Sequence, residues 1–271
     1  MDNLSSRMQG SEGHGTDDPQ EGSGGGARGL AEWLADMKGM SASRRSEADG
    51  TCWIIHYRPE MLWRGCPPDA QDCSSALDDV QNGELQALAA HEPEAWTFLD
   101  TETLGLHSAP IFLVGYLTFA EGRPSVTQIL AEDTTEEGAM LMACARRLRQ
   151  SSVLLSFNGK SFDMPLLEKR ARRWNVRLPD RSAHLHVDLL NHSRRLWRGR
   201  LPDCKLNTVE SRICGRERQD DVPSSQVPRL YRLFTETRDA RILAPILRHN
   251  AVDVASLVDV LCAAGGEEHS S

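Results

Sequence analysis

No apolar stretch approaches the ~20 residues that a bilayer-spanning helix needs, and the first residues lack the basic-then-apolar layout of a secretion signal. A membrane role is therefore set aside, and a soluble, cytoplasmic protein is the expectation. Metal-ligand cysteine pairs are missing as well. The seven cysteines (Cys52, Cys66, Cys73, Cys144, Cys204, Cys214 and Cys262) are odd in number and contain no CxxC, so they read as reduced thiols rather than a disulfide scaffold. No internal repeat is visible. An overall excess of positive charge is also lacking, with 31 Lys and Arg against 39 Asp and Glu, for a formal net charge of −8.

That deficit is not evenly spread. Residues 1–95 hold 7 basic and 17 acidic residues, whereas residues 96–271 hold 24 and 22, so the second part carries no net acidity. Between Lys160 and Arg218 there are 15 basic and 7 acidic residues, including the runs Lys169, Arg170, Arg172, Arg173 and Arg194, Arg195, Arg198, Arg200. A local basic face is what counterion release at a nucleic-acid backbone requires; a solvated helix face is the other reading of the same runs.

With 271 residues, 39% of them hydrophobic, the chain is long enough for one domain with a real core plus appendages. Residues 1–50 are rich in Gly, Ser, Asp and Glu and read as a disordered tail. Within it Leu30, Trp33, Leu34 and Met37 recur at helical spacing, a short docking helix over 30–40 for a protein partner of unknown kind. Residues 51–94 read as an extension packed on the main domain, one or two strands followed by a polar helix near 76–91. From Ala95 to residue 265 the pattern predicts a single α/β unit. Short apolar runs at 96–99, 111–119 and 124–131 suit hairpin-like strands; a helix at 136–150, a strand at 153–157, a helix at 163–174 and a strand at 184–189 follow, and helices dominate thereafter. The expected architecture is a mixed five-stranded sheet, three hairpin-like strands and then two parallel ones, flanked by helices.

Three segments carry candidate chemistry. Asp100 and Glu102 follow the run Trp96-Thr97-Phe98-Leu99 at i and i+2, so both side chains project to one side of a strand end. Two carboxylates aimed together call for a cation, although surface acids at this spacing are common. Asn158-Gly159-Lys160-Ser161-Phe162-Asp163 follows a second apolar strand; taken alone, Asp163 reads equally as a helix cap. His249 and Asp253, four apart, share one helix face, an arrangement that also serves for a structural hydrogen bond.

In order and spacing these segments resemble the three exonuclease motifs of the DEDD superfamily, which has a ribonuclease H-like fold. The strings Phe98-Leu99-Asp100-Thr101-Glu102-Thr103, Asn158-Gly159-Lys160-Ser161-Phe162-Asp163 and His249-Asn250-x-x-Asp253-Val254, with Val187-Asp188-Leu189-Leu190, Arg194-Arg195-Leu196-Trp197, Leu206-x-x-Val209-Glu210 and Asp220-Asp221-Val222-Pro223 leading to Pro228-Arg229-Leu230-Tyr231, narrow the likeness to the bacterial YprB-like ribonuclease H-like domain proteins, over roughly 95–262. The resemblance implies a 3′ to 5′ exonuclease acting on an end of single-stranded DNA or RNA, with Asp100, Glu102, Asp163 and Asp253 holding two Mg²⁺ or Mn²⁺ ions. Hard oxygen ligands suit both ions, and two cations answer the needs of phosphodiester hydrolysis. His249 is then the group that orients or deprotonates the attacking water, although it stands at the spacing of the tyrosine branch of the superfamily. Thr103 and Leu104 are candidate contacts to the terminal nucleotide, and Asn158 and Lys160 to a carboxylate and a phosphate. Asp188 reads as a helix cap outside the metal set, and Trp197 and Tyr231 as packing rather than base-stacking residues. The competing function is a nucleic-acid or protein adaptor of the same fold without turnover, recruited through Leu30–Met40.

Overall fold

The computed structural model describes residues 29–81, 83–105, 108–218 and 221–269. The expected tail over 1–28, and Asp220 of the quoted strings, lie outside the described residues. In chain order the elements are α1 (Leu30–Asp36), β1 (Met40–Glu47), β2 (Gly50–Tyr57), α2 (Ala70–Ser75), α3 (Gly83–Ala89), β3 (Trp96–Thr103), β4 (Ile111–Ala120), β5 (Arg123–Leu130) and α4 (Glu137–Leu148). They continue with β6 (Val153–Ser156), α5 (Asp163–Arg173), β7 (Leu185–Asp188), α6 (Leu189–Trp197), α7 (Leu206–Arg212), α8 (Val227–Thr237) and α9 (Leu243–His269). Among the described residues no helix is long and apolar enough to cross a membrane.

One sheet of seven strands, in the order β1-β2-β5-β4-β3-β6-β7, organises the molecule. Pairing is antiparallel from β1 through to β3, and parallel where β3 meets β6 and β6 meets β7. The expectation of five strands is corrected: β1 and β2 extend the sheet beyond β5, and residues 40–47, assigned to the tail, form its edge. The boundary placed at residue 50 falls in the turn of that hairpin. Likewise the polar helix expected near 76–91 is replaced by α2 and α3, with α2 opened by a reciprocal Asp69–Asp72 capping box.

Helices cover both faces. Period-two alternation in β3 sends Trp96 and Phe98 into the core shared with α9, and Leu99 into the second core shared with α4 and α5. α9 owes its place to a continuous apolar surface, with Leu247, Ala251, Val254, Ala255, Val258 and Leu261 all buried. α1 buries Leu30, Trp33 and Leu34 in the same core, so the apolar stripe read as a docking helix is covered by this chain itself.

Candidate active site

The alternation that buries Phe98 also decides where the acids of β3 point. Asp100 and Glu102 continue the Trp96–Phe98 row toward α9, while Thr101, on the opposite face, turns toward α5. Each is met there by a residue from another element. Asn250 of α9 donates from Nδ2 to Asp100 Oδ2 at 2.8 Å, and Thr101 Oγ1 donates to Asp163 Oδ1 at 2.5 Å. Asp163 is the first residue of α5, and its carboxylate accepts the Thr101 hydroxyl, which sets the helix-cap reading aside. His249 Nε2 lies 4.0 Å from Glu102 Oε1 and 3.5 Å from Asp253 Oδ2. The carboxyl end of β3 thus gathers acids from three separate elements.

Burying so many carboxylates together has an electrostatic consequence. Asp100 is pushed well above the usual carboxylate range, first by burial and then by the charges of Asp253, Glu102 and Asp163. Burial raises Glu102 to about 8 despite the nearby His249, and Asp163 to about 6 despite the Thr101 hydrogen bond. Burial alone would lower His249, but the Asp221 carboxylate bonded to it, with Asp253 and Glu102, lifts it to about 9. As it stands the imidazole is an imidazolium at neutral pH, partly compensating the acids around it.

Sequence reasoning missed the layer behind these groups. His249 Nδ1–H donates to Asp221 Oδ1 at 2.8 Å, which leaves Nε2 facing Glu102 and Asp253. Arg218 donates to Asp253, to Asp221 at 2.9 Å and to both oxygens of Glu210 at 2.6 and 2.7 Å. Asp221 is held below its ordinary value by His249 and Arg218 although burial opposes them. Arg218 belongs to no periodic pattern; Asp221 and Glu210 stood in strings that carried the family resemblance, but with no role attached to them. Asn250 did leave a sign: it is a fully buried amide next to the apolar residues of α9, and it also accepts from Gln128 Nε2 at 2.8 Å.

Gly115 left another, since an isolated glycine in a strand signals close approach. It pairs with Asp100 across the β3–β4 ladder, and a Cβ there would sit 2.1 Å from Asn250 Oδ1. Gly115→Ala is expected to swing the amide away from Asp100 and lower the turnover rate by about 10²-fold, the scale of a ~1 Å misplacement. Steady-state kinetics beside a thermal melt will check this; an unchanged kcat would show that Asn250 is dispensable.

The second-rank candidates divide. Asn158 adopts φ 70°, and its backbone N–H, with that of Lys160, donates to Asp188 at 2.7 and 3.1 Å. Asp188 also caps α6 through Leu190 N at 3.2 Å, a structural role. Lys160 Nζ is bound to Glu84 at 2.6 Å rather than left free for a phosphate. Thr103 Oγ1 donates to Gly105 O at 2.7 Å, and the Leu104 carbonyl accepts from Arg232 at 2.8 Å. Trp197 and Tyr231 are fully buried, Tyr231 stacked on Phe112 at 3.8 Å, so neither is offered to a base.

The donors suit a hard divalent cation. Glu102, His249 and Asp253 each offer one ligand atom, all within 4.8 Å of one another, and the raised carboxylates around them lack sufficient positive charge.

A mixed sheet flanked by helices, with acids gathered at the end of β3, where antiparallel pairing gives way to parallel, defines a ribonuclease H-like protein. Residues 97–264 match the RNase_H superfamily model, and the chain belongs to that superfamily. Its members are usually nucleases and generally use divalent metal ions. Within it the chain is similar to the uncharacterized protein YprB of Bacillus subtilis (strain 168), 35% identical over 166 residues, which is 60% of this chain and 40% of that protein. The chain therefore spans well under half the length of that relative. Among solved structures, the family B DNA polymerase from the hyperthermophilic archaeon Pyrobaculum calidifontis aligns with a TM-score of 0.47 at 19% identity, over 60% of this chain and 23% of the polymerase.

Proposed function

We propose that the chain is a metal-dependent phosphodiester hydrolase, a 3′ to 5′ exonuclease that removes nucleotides from a single-stranded DNA or RNA end. The supporting observation is the convergence of Asp100, Glu102, Asp163, Asp253 and His249 from β3, α5 and α9, with carboxylates buried beyond what their neighbours neutralise. Asp100, Glu102, Asp163 and Asp253 are the residues that would hold two Mg²⁺ or Mn²⁺ ions, which supply a more acidic water and charge compensation for the departing oxygen.

The chain's own groups then have distinct tasks. Asn250, Thr101 and Arg218 fix the carboxylates of Asp100, Asp163 and Asp253, so that these need not reorganise when substrate arrives. Asp221 holds Nδ1–H of His249 and aims Nε2 into the acid cluster. Once the charge of Glu102 and Asp253 is met, those carboxylates no longer keep the proton on His249. Its Nε2, which also meets Ser224 Oγ at 3.2 Å, would then give up its proton and accept one from water, with Asp221 still holding Nδ1–H.

The test uses the purified chain with 5′-labelled single-stranded DNA and RNA in Mg²⁺ or Mn²⁺. A ladder shortening from the 3′ end is expected, abolished by EDTA and restored by excess metal, with a circular strand left intact. Absence of chelator-sensitive cleavage on both polymers would overturn the proposal in favour of an adaptor, and cutting of the circle would replace exonuclease by endonuclease.

A further inference from the structure

Several cations of the basic stretch are already engaged. Lys160 binds Glu84, Arg170 binds Glu137, Arg181 binds Glu168, Arg200 binds Glu267, Arg216 binds Asp259, and Arg218 binds Glu210, Asp221 and Asp253. Arg173, Arg177, Arg194, Arg198 and Arg212 are exposed and make no ion pair among the described residues, and of these Arg194 and Arg198 border a cavity. Arg194 lies in the last turn of α6 and Arg198 caps its end, one turn on, while Leu189, His192, Ser193 and Trp197 are buried.

Two adjoining cavities run along that face. One, about 480 Å³, is bordered by Phe157, Asn158, Arg194 and Lys205; the other, about 400 Å³, by Arg194, Arg198 and Leu201. Arg194, Asp203 and Cys204 line both, so they form one continuous trough. Asp203 lies 3.8 Å from Lys205 and offsets it, which leaves the two arginines as the net charge. At one end the trough is bordered by Asn158, in the turn that leads into α5 and Asp163.

We propose that this trough holds the sugar-phosphate backbone of the substrate strand upstream of the bond being cut, with Arg194 and Arg198 taking successive phosphates. The Cβ separation of an i,i+4 pair, about 6 Å, is comparable to the step between phosphates on an extended strand. A cluster of acids repels a polyanion, so the strand has to be gripped outside it, and arginine forks on phosphate oxygens do this without reading sequence. That the strand's end lies among the acids rests on the function proposed above; the grip on the backbone is tested separately.

The experiment uses the full chain and a fluorescein-labelled 20-nucleotide oligothymidylate, with anisotropy read in Ca²⁺ over a salt series. Hydrolysis of thymidine 5′-(p-nitrophenyl phosphate), too short to enter the trough, is followed in Mn²⁺. The Arg194→Ala/Arg198→Ala double variant is expected to weaken oligonucleotide binding at least about tenfold. Its log–log salt slope should fall by about 1.4, two single-strand phosphate contacts. Hydrolysis of the short ester should stay within about twofold of wild type, and Arg200→Ala should bind as wild type. The Arg194→Lys/Arg198→Lys pair should recover the salt slope. Unchanged binding and slope in the alanine pair would overturn the proposal, as would equal losses on both substrates. Displacement of the oligonucleotide by polyglutamate at equal charge would overturn the nucleic-acid assignment. Arginine-dependent binding without hydrolysis would keep the trough and remove the catalytic reading; hydrolysis with arginine-independent binding would do the reverse.

Discussion

Asp100→Asn and Asp253→Asn are each expected to reduce metal-dependent nucleotide release by ~10³-fold or more. The magnitude follows from the charge compensation a bound cation gives the transition state, several kcal/mol at about 1.4 kcal/mol per factor of ten. An asparagine keeps the shape and one oxygen of the aspartate but removes the charge. The stability of Asp100→Asn should move the other way. In the native protein Asp100 is raised by burial and by the charges of Asp253, Glu102 and Asp163, so in chelator its ionised form opposes folding. A neutral amide at that position relieves the strain and can still accept from Asn250 Nδ2. A gain of about 1 kcal/mol, hence a Tm higher by ~2–4 °C in EDTA, is the expected result. Asp253→Asn should not share the gain, because Arg218 would lose one of the three acids that surround it. Scanning calorimetry in EDTA with nucleotide release in Mn²⁺ checks both halves. Undiminished release by both variants would remove the catalytic reading altogether.

The contrast between those two aspartates shows what a sequence conveys of such a site. Asp100, Glu102 and Asp253 stood out because each directly follows, or sits within, a strongly apolar element, where a charge needs a reason, whereas Asp163, after a polar turn, stood out through the resemblance. The three central strands were legible for the same cause: Ile111–Ala120 is almost continuously buried, so its pattern admits little else. β1 was not legible. Met40–Glu47 is an edge strand with mostly exposed side chains, and the serines and arginines that suit an edge are those that suggest a tail. Its order comes from long-range contacts, with Arg44 over the Trp53 ring at 5.1 Å and paired with Glu136 of a segment 92 residues away. Arg218 and Asp221 were hidden for a similar reason: their role lies in bonds to α7 and α9 and not in any local period. The resemblance to exonuclease motifs named the acids but said nothing of what holds them.

Glu137→Ala is expected to be the most destabilising single change away from the site. The side chain is fully buried at the start of α4, where it accepts from Ile111 N at 2.9 Å, from Arg170 Nε at 2.7 Å and from Trp174 Nε1 at 2.7 Å, besides a second bond from Arg170. Arg170 donates onward to the Ser108 carbonyl at 2.9 Å. One carboxylate thereby ties α4 to β4 and α5. Truncating it strands a buried guanidinium, for which ~3–5 kcal/mol is the usual penalty, and leaves two N–H groups without acceptors. At ~2–4 °C per kcal/mol, Tm should fall by about 10 °C. Replacing both partners, Glu137→Leu with Arg170→Met, removes the stranded charge and should recover most of the loss. Because α5 begins with Asp163, activity at elevated temperature should follow the same order: lost in the single variant, returned in the double. A single variant melting within a degree or two of wild type would mean that water reaches Arg170 and that α5 is anchored chiefly by the packing of Met164, Leu166 and Leu167.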